Sequence, residues 1–182
     1  MSVTTATRES LPTGTWGLDP IHSTIGFEVE YLVGTFRGQF RDVQAKLVAD
    51  GDSARLTGSA KVGSIDVKDE NLAGHLQSPD FFDAERHPEL TFESTDIRRE
   101  GDQVTIAGQL ALKGVTQPVV LTGTISDPVE HYAGGHRIGL KVETTIDRTA
   151  FGVDWNAPLP DGNPALANEV KLVAELFFAE EA

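Results

Sequence analysis

The chain has 182 residues, a formal net charge of -13 at pH 7, 39% hydrophobic residues and no cysteine. This length allows one domain with a sizeable core, and the acidic balance disfavours nucleic acid or an anionic bilayer as a partner, because both would repel the protein. The lack of cysteine excludes disulfides, thiol catalysis and zinc-thiolate sites.

The N-terminal region is predicted to be a flexible tail over residues 1–12, which are rich in Ser and Thr, and residues 13–182 are predicted to form a single domain. The opening residues contain no apolar run that could serve as a signal peptide, and no segment is long and apolar enough for a transmembrane helix. We therefore expect a cytoplasmic protein. The oligomeric state stays open, with a homodimer as one alternative.

Apolar and polar residues alternate through most of the chain, which is typical of strands with one buried face. The first such run places Ile25, Phe27, Val29 and Tyr31 on one face. About eight short strands separated by turn signals predict an antiparallel barrel or sandwich, and a closed barrel of about eight strands is either filled or holds one small ligand. Three glycines on the apolar faces indicate either bends or free space inside: Gly58, Gly108 and Gly123.

One long interruption divides the alternation, over residues 62–95. The spacing of Leu72, His75 and Leu76 predicts a helix over residues 69–77, and Ser78 followed by Pro79 predicts that a further short turn starts there, with Ser78 as its N-cap. A short helical insertion is therefore expected near residues 69–84. Phe81 and Phe82 are adjacent, so at least one of them should enter the barrel end, as part of a binding site or simply as a plug of the core.

Residues that could carry catalysis do not form a recognisable set. The five histidines are not at metal-ligand spacing, no Gly-x-Ser-x-Gly elbow is present, and no glycine-rich phosphate loop follows a strand. We therefore predict no catalytic residue, no metal site and no cofactor. A late break in the alternation, over residues 148–162, places Trp155 and Asn156 where they could line a cavity mouth, although an Asn in a turn is the more common arrangement.

Four segments resemble the motifs of the YceI-like, polyisoprenoid-binding family. They are TWGLDPIHSTIGFEVEYLVGTFRGQF, VGSIDVKDENLAGHLQSPDFFDAERHPELTFEST, GQLALKGVTQPVVL and IDRTAFGVDW, in this order from about Thr15 to Phe178. The resemblance implies an extended, lipocalin-like antiparallel β-barrel with a long apolar tunnel that binds an isoprenoid chain, and it implies no catalytic mechanism.

The match to the family motifs can be followed residue by residue. The central motif is matched at His75-Leu76, Ser78 and Asp80-Phe81-Phe82, and the late one at Arg148 and Phe151-Gly152. The chain departs from the family where it has Leu72-Ala73 in place of the common Arg-Asp, and Ala150 in place of the common Asp. Both departures remove charge near a barrel end.

The expected function is the binding, storage or transport of an elongated apolar isoprenoid-type lipid, such as a prenyl quinone or a polyprenyl chain. Two alternatives stay open: a hydrolase or metal enzyme on a barrel scaffold, and a stress-related interaction protein with a filled core. The predicted ligand-binding residues are Phe27, Val29, Phe40, His75, Phe81, Phe82, Phe92, Ile106, Leu110, Leu121, Leu140, Phe151, Trp155 and Asn156.

Overall fold

The alternating segments form strands in the computed structural model, which describes residues 9–181. The strands are β1 Gly14–Leu18, β2 Thr24–Tyr31, β3 Gly34–Phe40, β4 Val43–Asp50, β5 Ser53–Lys61, β6 Ile65–Asp66, β7 Glu89–Glu100, β8 Gln103–Leu112, β9 Val115–Ile125, β10 Val129–Glu130, β11 His136–Asp147 and β12 Leu166–Glu180. One α-helix, α1, covers Glu70–Gln77, and two short 3-10 helices cover Val62–Ser64 and Arg148–Phe151.

These strands close into an antiparallel barrel of 8 long strands. Three of the long strands are interrupted: β1 continues into β2, β3 into β4 and β5 into β6. The long strand β1–β2 and its neighbour β3–β4 keep nearly the same register on both sides of their interruptions. Gly17 pairs with Lys46 between β1 and β4, and Ile25 pairs with Phe40 between β2 and β3. Each long strand pairs with the next along the chain, and β12 closes the ring by pairing with β11 and with β1 and β2. The predicted fold is confirmed.

The interior has two halves, which we call the filled end and the hollow end. The filled end lies near the β4–β5 and β7–β8 turns, and its centre is the set Trp16, Leu47, Ile106, Ile138, Leu140 and Phe178, each at most 2% exposed. The hollow end lies near the β2–β3 and β8–β9 turns, and its buried residues include Phe27, Val29, Phe40, Leu110 and Leu112.

Residues 9–12, which belong to the predicted tail, lie against the filled end. Leu11 is buried there, Trp16 Nε1 donates to the carbonyl of Pro12 at 3.0 Å, and the Glu9 N–H donates to the carbonyl of Arg99 at 3.3 Å. Residues 9–12 are therefore packed against the barrel. The rest of the predicted tail, residues 1–8, lies outside the described residues.

The interruption of the alternation contains one helix and then a series of turns. Asp69 caps α1, because its carboxylate accepts from the Leu72 N–H at 2.9 Å. A turn does begin at Ser78, since the Phe81 N–H donates to the Ser78 carbonyl at 3.0 Å, but the prediction that Ser78 is an N-cap is wrong. Its N–H and its hydroxyl both donate to the carbonyl of His75, so Ser78 ends α1 and residues 78–88 continue as turns. In residues 9–181 no helix has the length and apolar character needed to cross a membrane.

Candidate ligand-binding cavity

The hollow end encloses an apolar cavity of about 420 Å³. That volume lies within the range of about 300–1,000 Å³ that is common for small-molecule sites. Leu56, Val142 and Leu176 form the floor, since they line the cavity and also belong to the core of the filled end. The cavity therefore stops about where the filled end begins. The predicted site residues that line it are Phe27, Val29, Phe40, His75, Phe81, Phe82, Phe92, Leu110, Leu121 and Trp155.

Phenylalanine rings make up one wall. The Phe27 ring centroid lies 6.0 Å from that of Phe36, 6.1 Å from Phe40 and 6.2 Å from Phe82. Such tilted and edge-to-face pairs are the favoured aromatic geometry. Gly38, the cross-strand partner of Phe27, makes room for the Phe27 ring, because a Cβ at Gly38 would lie 2.5 Å from Cζ of the ring. The ring is thus held against the wall.

Three rings cover one region of the cavity, and we call His75, Phe81 and Trp155 the aromatic lid. The His75 ring lies 4.9 Å from both Phe81 and Trp155, nearly perpendicular to each, and the Phe81 and Trp155 rings are 5.3 Å apart. On its outer side His75 Nε2 lies 3.2 Å from Oδ2 of Asp80. The lid thus joins two segments that are distant in sequence, α1 with its following turns and the loop before β12.

Arg148 fixes the position of Trp155. Its side chain is 4% exposed, and its guanidinium donates to the carbonyls of Val153, Trp155 and Ala167 at 2.8 Å each. Burial lowers the pKa of Arg148 from its ordinary value, chiefly through desolvation. By binding three backbone carbonyls, the Arg148 guanidinium fixes the backbone of the loop that carries Trp155. Arg148 is therefore a positioning residue for the lid.

Lys113 ties the two lid segments together. It lies in the β8–β9 turn, and its Nζ donates to the carbonyl of Pro79 at 2.6 Å and to that of Gly152 at 3.1 Å. Gln117, four residues later, donates to the carbonyl of Ala150 at 3.2 Å. One hairpin of the barrel therefore holds both segments that cover the cavity.

Polar groups on the cavity wall are few. Tyr31, Thr57, Ser59, His75 and Arg148 are the polar or charged side chains that line it. Within residues 9–181, no group of three or more His, Asp or Glu lies close enough to hold a metal ion. This arrangement suits the enclosure of an apolar molecule by shape and burial.

Four predicted site residues do not line the cavity. Ile106 and Leu140 lie below its floor in the filled end, because alternation identifies the face of a strand but not the depth along it. Phe151 is 2% exposed and packs into the wall behind the cavity. Asn156 is used by the backbone: its amide donates to the Leu166 carbonyl at 2.7 Å and accepts from the Leu166 N–H at 3.0 Å. It ties the loop before β12 to Leu166, the first residue of that strand. For the ten lining residues, contact with a ligand stays a prediction.

Other lining residues were missed by the sequence reasoning. Val170, Leu172 and Leu176 share the alternating face of β12 and could have been found from that pattern. Leu72, Arg148 and Val153 lie outside the alternation and reach the cavity through the packing of the lid segments, although the late family motif does include Arg148.

The chain is similar to a known protein family and to a bacterial relative. A family model described as YceI-like domain matches residues 16–178. A UPF0312 protein of Staphylococcus epidermidis is 30% identical over 174 residues, which cover 90% of this chain and 96% of the relative.

Two solved structures show the same fold. The crystal structure of BcnA from Burkholderia cenocepacia has a TM-score of 0.76 at 22% identity, covering 88% of this chain and 98% of that one. The structure of a polyisoprenoid binding domain from Saccharophagus degradans, implicated in plant cell wall breakdown, has a TM-score of 0.64 at 13% identity, covering 91% and 98%. At these identities the likeness concerns the barrel itself.

Proposed function

Because this chain belongs to the YceI-like family, which confirms the resemblance found in its motifs, we propose that it binds an elongated apolar lipid of the isoprenoid type in the cavity of the hollow end. In this proposal it is a storage or carrier protein for a prenyl quinone or polyprenyl chain. The proposal is a binding function and assigns no catalytic step.

The observation that carries the proposal is the apolar cavity between the filled end and the aromatic lid. Aliphatic and aromatic side chains from both sides of the barrel face it, with few polar groups among them. The structural neighbour from Saccharophagus degradans, described as a polyisoprenoid binding domain, supports a ligand of the same class.

The driving force for such binding is burial of the chain. Each methylene moved from water into an apolar site contributes about 0.8 kcal/mol. Several isoprene units therefore exceed the cost of association and of ordering the chain, which is on the order of 4–15 kcal/mol. Selectivity would come mainly from the width and depth of the cavity, and varied head groups should be tolerated.

Ligand identification is the first experiment. The purified protein is analysed by native mass spectrometry and by solvent extraction, and it is then titrated with a prenyl quinone while quenching of tryptophan fluorescence is followed. We expect a bound prenyl or fatty chain in the extract and saturable quenching, because Trp155 lines the cavity. An empty protein that also fails to bind the quinone would refute the proposal.

A pair of neighbouring substitutions tests the location of the site. Leu121 lines the cavity, whereas Val120 is 51% exposed on the opposite face of β9. Leu121→Glu should abolish uptake of the quinone because it places a carboxylate in an apolar cavity, and Val120→Glu should bind like the wild type. Equal uptake by two folded variants would mean that the ligand binds elsewhere.

A further inference from the structure

The turn between β2 and β3 carries three successive apolar residues that the fold leaves in water. Tyr31 is 46% exposed, Leu32 54% and Val33 104%. Leu32 has a φ of +50°, a backbone region that favours Gly, Asn or Asp and is uncommon for Leu. Its N–H donates to the carbonyl of Ala165 at 3.0 Å, which holds the turn in place. The requirements of a hairpin turn therefore do not explain these residues.

The same turn is continuous with the cavity. Tyr31 lines the cavity, and among the described lining residues it is the most exposed. Phe27 and Val29, on the same face of β2, continue the wall inward from Tyr31. An apolar path therefore leads from the cavity to the tip of the hairpin.

We propose that Tyr31–Val33 inserts into the surface of an electrically neutral lipid bilayer, so that a lipid chain passes between bilayer and cavity beside Tyr31. This inference rests on the proposed function and names the place of loading. An apolar chain that moves along this path avoids transfer through water.

The small size of the exposed patch at Tyr31–Val33 and the net charge of the protein favour a neutral bilayer over a protein partner. Three side chains are far fewer than the roughly 20–30 residues on each side of a stable protein interface. Tyr is enriched where membrane meets water, because its ring is apolar and its hydroxyl is polar. The net charge of -13 opposes an anionic surface and leaves a zwitterionic one as the fitting partner.

The opposite end of the barrel supplies a matched control. The hairpin formed by β10 and β11 also exposes apolar residues, with Val129 in β10 at 62% and Tyr132 in the turn at 99%. It lies at the filled end, since β11 begins there and Arg137 pairs with Ala179. Neither residue lines the cavity. The two hairpins thus differ in their access to the cavity and resemble each other in exposure.

The experiment is flotation of the protein with phosphatidylcholine vesicles. We expect the wild type to bind, Val33→Asp to bind about tenfold more weakly, and Val129→Asp to bind like the wild type. Val33→Asn should also weaken binding although Asn suits a turn, which separates membrane contact from folding. Added phosphatidylglycerol should reduce binding at low salt.

Several results would overturn the inference. These are an unbound wild type, equal binding by Val33→Asp, an equal loss in Val129→Asp, or a requirement for anionic lipid. A dimer seen by sedimentation that Val33→Asp dissociates would assign the tip to a second copy of the chain instead.

Uptake of the prenyl quinone in the absence of vesicles is measured in parallel for every variant. Failure there refutes the proposed function, whereas normal uptake with unchanged vesicle binding in Val33→Asp refutes the docking site alone.

Discussion

The filled end and the hollow end belong to one barrel and follow the same alternation, yet only one of them leaves space. At the filled end the large side chains of Trp16 and Phe178 are buried in the core. At the hollow end Phe27 lies over Gly38 against the wall, and Gly58 contributes no side chain to the lining. The difference shows that alternation decides which residues face inward, whereas side-chain volume and direction decide whether the interior closes.

The two ends are also expected to differ in what they contribute, the filled end to stability and the hollow end to binding. Close-packed side chains gain dispersion contacts on all sides, and a wall that faces empty space lacks partners on one side. We therefore expect most of the stability to come from the filled end, and the hollow end to be marginally packed until a ligand occupies it.

The largest expected effect comes from truncating one residue in each end. Phe178→Ala should lower the free energy of unfolding by about 3–5 kcal/mol, because Phe178 is 0% exposed and its loss opens a new void. Leu172→Ala, in the cavity wall, should lower it by only about 1–2 kcal/mol, because its side chain already faces empty space. Urea denaturation gives both values. Equal losses would contradict the division into two ends.

The lid is expected to show the next largest effect. Arg148→Met should lower the free energy of unfolding by about 2–3 kcal/mol, because three carbonyls lose a charged donor. Urea denaturation measures this loss, and the fluorescence of Trp155 reports the state of the lid.

Arg148→Lys is the control. It should recover little of the stability lost in Arg148→Met, because an ammonium group cannot reproduce the planar set of N–H donors of the guanidinium. A lysine variant as stable as the wild type would show that charge alone holds the lid.

A substitution at Gly58 is expected to raise the stability of the fold, and by less than the preceding variants lower it. A Cβ there would have only Gln44 O at 3.6 Å and Ala45 Cβ at 3.9 Å as neighbours, which is ordinary contact. Gly58→Leu should therefore place its side chain in the cavity, stabilise the fold by about 1 kcal/mol and block uptake of the prenyl quinone. Thermal unfolding and the fluorescence titration measure the two effects.

Gly123→Ala provides the contrast to Gly58→Leu. Its Cβ would lie 1.8 Å from the carbonyl oxygen of Lys141, so this variant should be destabilised. If Gly58→Leu lost as much stability as Gly123→Ala, the free space at Gly58 would be disproved.

The smallest effect is expected at the joint between the two ends, residues 19–23, where β1 gives way to β2. The Asp19 carboxylate lies 2.6 Å from His22 Nδ1 and accepts from the backbone N–H of Ile21 at 2.9 Å. The hydrogen bond from His22, followed by those from the backbone, holds the pKa of Asp19 below its ordinary value of 3.8.

A lowered carboxyl pKa gives stability that is present above the ordinary value and disappears as the pH falls through the folded-state value. Asp19→Asn should therefore lower stability at pH 7 by at most about 0.5 kcal/mol, since the group is near the surface, and by nothing measurable once Asp19 is protonated. Denaturation at several pH values tests this, with Asp52→Asn in the β4–β5 turn as control. A deficit that persists in acid would point to shape rather than charge.

The sequence predicts the barrel well and the site in part. The strands follow from alternation, which β2 and β12 show clearly. Alternation alone left a barrel and a sandwich open, and the closed barrel was implied by the resemblance to the YceI-like family. Ile106 and Leu140 were misplaced because an alternating pattern is the same at every depth of the barrel. The N-cap role of Ser78 was wrongly predicted because the Ser-Pro signal does not reveal that the Ser78 hydroxyl donates backward to the carbonyl of His75. Arg148 and Lys113 bond to backbone carbonyls, which every residue carries, so no pattern of residue types identifies these partners.

The closing seam of the barrel has a consequence for synthesis of the protein. β12 pairs with β1 and β2 on one side and with β11 on the other. A nascent chain on the ribosome can thus form the whole meander from β1 to β11 while both border strands still lack their last partner. Unpaired strand edges are templates for aggregation. The interval before β12 emerges is therefore when the chain is most exposed to aggregation, because two unpaired strand edges and the apolar interior are open at the same time.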